Sequence, residues 1–121
     1  MAKVLIIEDD EFLSKIYATK LKQEGIDADF ALDGVQGLEK MRANKPSLIL
    51  LDLILPKKDG FGVLEEMQGD AQLKKIQVII LSNLGQESDI ERGKKLGAKE
   101  FIVKSDTSIQ AVVKKIKSYL K

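Results

Sequence analysis

The chain has neither cysteine nor histidine among its 121 residues. Lack of cysteine excludes disulfides and thiolate metal sites. Lack of histidine excludes imidazole ligands, Ser–His or Cys–His nucleophile activation and histidine acid–base catalysis. No charge of one sign prevails. Lys and Arg total 20 against 19 Asp and Glu, a net charge of +1 that argues against nonspecific binding of nucleic acid or another polyanion. Long hydrophobic runs are also missing. The longest, from Leu48 to Leu55, is broken by Asp52, and the opening run Val4 to Ile7 is too short for a signal peptide. No membrane segment is expected, and a cytoplasmic location is the default. Chemistry must therefore run on carboxylates, hydroxyls, lysines, backbone amides and borrowed ions.

What is present fits one soluble α/β domain, with 44% apolar residues to build an ordinary core. Short apolar runs alternate five times with amphipathic stretches. Val4 to Ile7 is wholly apolar, as suits a strand buried on both faces. Asp10 to Glu24 carries Leu13, Ile16, Tyr17 and Leu21 at helical spacing and stops at Gly25. Asp27 to Ala31 is shorter and more polar, suiting an edge strand. Asp33–Gly34 opens a helix with Val35, Leu38 and Met41 on one face. Leu48 to Leu51 follows Pro46 and is the most hydrophobic run, hence the central strand.

After a loop from Pro56 to Gly60, a third helix places Phe61, Leu64 and Met67 inward and ends near Gly69. Ile76 to Leu81 reads as a fourth strand. A fourth helix starts about Ser88, with Ile90 and Leu96 inward and Gly97 as its stop. Phe101 to Val103 is the fifth strand, and Ile109, Val112, Val113, Ile116 and Leu120 stripe the last helix. Such alternation predicts parallel strands joined by helical crossovers, in a doubly wound sheet with helices on both faces. Ligand chemistry then belongs at the carboxyl ends of the strands.

Polar residues gather at those ends. The first run is followed by Glu8–Asp9–Asp10, the third by Asp52, the fourth by Ser82–Asn83 and the fifth by Lys104. A parallel sheet brings all of them to one edge. Carboxylates crowded there repel one another unless a cation intervenes. With only oxygen donors at hand, Mg²⁺ or Mn²⁺ suits the site. Asp52, flanked by a cation, a hydroxyl and an ammonium group, reads as a nucleophile toward a phosphoryl group. Asp10 is read either as part of this acidic set or only as a helix cap.

At these residues the chain resembles the receiver domains of bacterial two-component response regulators, including the stand-alone chemotaxis regulators. The likeness covers residues 1–121 and rests on Ile7–Glu8–Asp9–Asp10, Leu51 to Pro56 with Asp59–Gly60, Leu81–Ser82, Gly97–Ala98 and Val103–Lys104. The resemblance implies a flavodoxin-like five-stranded sheet in the order 2-1-3-4-5. It makes Asp52 the phosphoacceptor, with Asp9 a direct metal ligand, Glu8 a ligand through water and the Ile54 backbone carbonyl completing the protein ligands. Ser82 is then the hydroxyl that moves to the phosphoryl group, and Lys104 contacts another of its oxygens. Phe101 matches the aromatic switch position, although packing alone is an equal reading.

Function follows as an expectation: phosphorelay signalling rather than enzymatic turnover. A sensor histidine kinase or phosphotransfer protein supplies the phosphoryl group, and transfer is catalysed by the domain itself. The fourth helix, fifth strand and last helix then present a changed surface to a downstream target protein. Output is by protein contact, unless the chain is a piece of a larger regulator. Loss of the phosphoryl group is expected to be slow, because Ile54 and Leu84 stand where the family's attacking water approaches.

Two positions depart from the family pattern. Asn83 replaces the usual small residue and would either narrow the site or contact the phosphoryl group. Ser105 replaces the usual proline after the lysine, which predicts a trans Lys104–Ser105 peptide, since cis costs roughly 3–4 kcal/mol before a non-proline residue. Two rivals are weaker. A haloacid-dehalogenase-like phosphatase needs a second acid two residues past its nucleophile, where this chain has Ile54. A degenerate receiver that only binds a partner would have no need of the intact acids and lysine.

Overall fold

The computed structural model describes residues 3–120; positions 1, 2 and 121 lie outside the described residues. Five strands and five helices alternate: β1 (Val4–Ile7), α1 (Glu11–Gln23), β2 (Ala28–Ala31), α2 (Gly34–Asn44), β3 (Leu48–Leu51), α3 (Gly60–Gln68), β4 (Gln77–Ser82), α4 (Glu87–Lys95), β5 (Glu100–Val103) and α5 (Ile109–Tyr119). The sheet order is β2-β1-β3-β4-β5, with every neighbouring pair parallel. This is the flavodoxin-like arrangement expected of a receiver fold. No helix among the described residues is long and apolar enough to cross a membrane.

The period of two along each strand sorts the core into two layers. Leu5, Ile7, Ile49, Leu51, Val78 and Ile80 face the layer that holds Leu38 and Met41 of α2 and Leu64 and Met67 of α3. Val4, Ile6, Leu48, Leu50, Ile79 and Leu81 face Tyr17 and Leu21 of α1 and Val112, Val113 and Ile116 of α5. Both faces being covered, β1 and β3 are unbroken apolar runs, and β4 is apolar from Val78 to Leu81. All four residues of β3 are at most 2% exposed, and burying each contributes about 1.5–3 kcal/mol.

Four helices start at side-chain caps. Asp10, Asp33, Asp59 and Ser108 accept from the backbone N–H groups of Leu13, Gln36, Gly62 and Ala111, each worth about 1 kcal/mol. Asp10 is therefore a cap. Helix α4 differs: Gln86 at its start makes no side-chain capping bond, and Gly93 is its one buried residue. Ile90 and Leu96 are only half-buried.

Two expectations need correction. Val35 does not share the inward face of α2; it is 42% exposed, and Gly34, Gly37, Leu38 and Met41 are the buried set. The β4 strand starts at Gln77 rather than Ile76, because a 3₁₀ turn at Leu73–Lys75 ends there. A second 3₁₀ turn, Lys104–Asp106, links β5 to the run-up to α5. Neither turn has a sequence period long enough to read.

Candidate functional site

The carboxyl edge of the sheet brings the polar strand ends together. Asp52 lies one residue past β3, and its backbone N–H donates to the carbonyl of Ile7 at the end of β1. Glu8, Asp52 and Lys104 continue the parity of Ile6, Leu50 and Ile102, so all three side chains lean to the α1/α5 side. Lys104 binds both acids. Its ammonium donates to Asp52 Oδ2 at 2.8 Å and, more closely, to Glu8 Oε1. Glu8 and Asp52 are only 4% and 6% exposed.

Remaining oxygens of the buried acids are held by backbone. The Asp10 N–H donates to Glu8 Oε2 at 3.1 Å, and the Ile54 N–H to Asp52 Oδ1 at 3.2 Å. Asp9 is exposed. Glu8, Asp9 and Asp52 each offer a carboxylate oxygen, all within 4.8 Å of one another. One lysine cannot neutralise three carboxylates. Burial raises Glu8 to about 7, against the lowering effect of its bonds from Lys104 and the Asp10 amide. Burial alone would lower Lys104, but its bonds to Asp52 and Glu8 leave it raised. The charge excess and oxygen-only donor set fit a hard divalent cation such as Mg²⁺ or Mn²⁺.

Ser82 and Phe101 fall on the opposite parity, toward α4. Ser82 is fully buried at the end of β4, paired with Val103, and its hydroxyl accepts from the Leu84 N–H at 3.4 Å. Phe101 is half-buried beside Gly93. A Cβ at Gly93 would stand 2.6 Å from Ile80 Cδ1 and 3.3 Å from Phe101 Cδ2, so glycine lets α4 lie close over this pair. Ile54 is 54% exposed at the rim.

The two departures from the family pattern answer one another. Ser105 keeps the N–H that a proline would lack, and Asn83 Oδ1 accepts it at 3.1 Å. Asn83 thus ties the end of β4 to the turn after β5, and the Lys104–Ser105 peptide is trans. Two further residues escaped the sequence reading. A Cβ at Gly60 would lie 2.4 Å from the Asp52 carbonyl oxygen; Asp59–Gly60 looks like a cap in sequence, and nothing there reveals this approach. Tyr17, expected only as core, lines the space under Glu8 and Asp52.

Known proteins resemble this chain in sequence and fold. The model of the response regulator receiver domain matches residues 4–117. The chemotaxis protein CheY of Treponema pallidum is 39% identical, over 98% of this chain and 83% of that protein. The DNA-binding dual master transcriptional regulator RpaA of Synechocystis is 38% identical over 86% of this chain, but over only 43% of its own length. Among solved structures, the receiver domain of the Francisella response regulator 1452 superposes with a TM-score of 0.89 at 28% identity, covering 98% of this chain and 96% of that one. Chemotaxis protein CheY4 of Vibrio cholerae shares the fold, with a TM-score of 0.88 at 24% identity over 98% of both chains. With its strand order and this family match, the chain belongs to the receiver domains of two-component response regulators, the phosphorelay signalling family.

Proposed function

We propose that this receiver accepts a phosphoryl group on Asp52, from a sensor histidine kinase or phosphotransfer protein, in the cytoplasm. The observation that supports it most is Lys104 bridging Glu8 and Asp52 beside Asp9. An Asp52 oxygen attacks phosphorus, and a new O–P bond forms as the bond to the donor's imidazole nitrogen breaks. The electron pair stays on that nitrogen, which takes up a proton. Lys104 then turns from the carboxylates to a phosphoryl oxygen, and Ser82 donates its hydroxyl proton to another. Asp9 and Asp52, with Glu8 through water and the Ile54 carbonyl, would hold Mg²⁺ or Mn²⁺, which when bound offsets phosphoryl charge. Movement of Ser82 is felt by Phe101 and α4, and the α4–β5–α5 face carries the signal to a target protein rather than to nucleic acid.

Incubation with acetyl phosphate and Mg²⁺, read by intact mass, tests the reading. Wild type should gain one phosphoryl group, and chelation of the metal should abolish the gain. Asp52→Asn gaining the same mass at the same rate would sink the assignment.

A further inference from the structure

Tyr17 stands in the middle of α1 and is 4% exposed. Its ring packs in the layer that includes Ile6, Leu50 and Leu81. Helical side chains lean toward the helix N-terminus, and α1 is capped there by Asp10, beside the acidic site. The phenol is thereby carried out of the core toward the carboxylates. With Glu8 and Asp52 it lines a cavity of about 10 Å³ under the site, whose remaining walls are apolar. Burial raises the phenol pKa; the Lys104 charge works against this and the Glu8 charge with it.

That donor is uncommitted in the bonds that order the site. Glu8 Oε1 takes Lys104 and Oε2 takes the Asp10 amide, while Asp52 takes Lys104 and the Ile54 amide. Once Lys104 turns to a phosphoryl group, Glu8 Oε1 loses its protein donor inside a buried site, where an acceptor needs a replacement partner. Apart from the two acids, Tyr17 is the one residue lining that cavity that carries a polar side-chain group. Phenylalanine would fill the same space without a polar group to satisfy.

We infer that Tyr17 is a positioning residue: its hydroxyl donates to the Glu8 carboxylate and holds it in place when Lys104 moves to the phosphoryl group. The inference rests on the proposed phosphoacceptor function. The chain has two tyrosines and no tryptophan, so Tyr119→Phe leaves Tyr17 as the sole source of intrinsic emission. In that background, Mg²⁺ with beryllofluoride should quench the emission, as carboxylate bonding does to a phenol. Tyr17→Phe in the 121-residue chain should melt as wild type does in EDTA, yet bind beryllofluoride with Mg²⁺ about tenfold more weakly. Both results together support the inference. Unchanged emission at saturation, or wild-type affinity in Tyr17→Phe, overturns it and leaves the proposed function standing. Failure of wild type to bind beryllofluoride overturns both.

Discussion

The Lys104 ammonium lies 2.8 Å from the Asp52 carboxylate, although 52 residues separate the two in sequence. The same lysine also holds Glu8, so one cation compensates two buried acids. Lys104→Met removes it and leaves the carboxylates facing each other. An uncompensated buried charge costs about 3–5 kcal/mol, and proton uptake by Glu8 offsets part of that. The metal-free variant should melt well below wild type at pH 8, and Mg²⁺ should stabilise it more than it stabilises wild type. Equal melting of the two proteins in EDTA would mean that the lysine is not what holds the acids together.

Glu8 sets a specific pH dependence in the metal-free protein. Its carboxyl stands at about 7 in the fold, above its ordinary 4.5, chiefly through burial. A raised pKa means that the folded state holds the proton more tightly than the unfolded chain. The Glu8 contribution to stability is therefore complete below 4.5 and declines as pH rises through about 7. Glu8→Gln lacks this decline. Melting curves in EDTA should show the variant gaining on wild type between pH 4.5 and 7.5, and parallel curves would contradict the burial argument.

How far the sequence could be read depends on which side chain carries the signal. Strands buried on both faces are bare apolar runs, and parallel strands bring their ends to one edge, so the sequence alone groups Glu8, Asp52, Ser82 and Lys104. The strand order came with the family resemblance rather than from the pattern. Val35 was misplaced for a physical reason. The α2 helix packs so closely that a Cβ at Gly37 would stand 2.6 Å from Ile7 Cδ1, and one at Gly34 2.0 Å from the Lys58 carbonyl oxygen. Glycine carries no hydrophobic signal, so the inward face looked as if it needed Val35. Tyr17 was legible as core, but helical spacing does not say where the far end of a long side chain arrives.

Asp9 differs from its acidic neighbours in being exposed, yet its carboxylate lies within the same 4.8 Å cluster. Its removal should relieve repulsion and cost the metal-free fold nothing. Asp9→Ala should therefore melt no lower than wild type in EDTA, while gaining less from Mg²⁺ by ligand linkage. Equal gains from Mg²⁺ would count against Asp9 as a ligand.

The surface that reports occupancy of the site should be the α4–β5–α5 face. Ser82 and Phe101 lie on the parity that faces α4, and the one buried residue of that helix is Gly93. With so little of α4 buried, a small shift of Ser82 or Phe101 can displace it. Amide shift changes on adding beryllofluoride with Mg²⁺ should concentrate at residues 83 to 106. Changes confined to α1 and α2 would place the responsive surface elsewhere.

The aspartyl phosphate should be long-lived, with Ile54 contributing more to its lifetime than Leu84. Hydrolysis needs a water in line with the bond from Asp52 to phosphorus, and the chain has no histidine to orient one. The Ile54 N–H bonds Asp52 Oδ1, which fixes this residue at the rim, where it is 54% exposed. An apolar group in that position can turn water away but cannot hold it. Leu84 is committed differently: it is half-buried and packs against the layer that holds Phe61 and Leu64. Ile54→Asn should speed phosphate loss about tenfold, which requires only about 1.4 kcal/mol of barrier. Leu84→Glu should change the rate less and lower the melting temperature more, because its apolar contacts are lost. The check is the decay of intact-mass signal after the donor is removed, for each single variant and the pair. A double variant that loses phosphate no faster than wild type would show that apolar shielding does not set the lifetime.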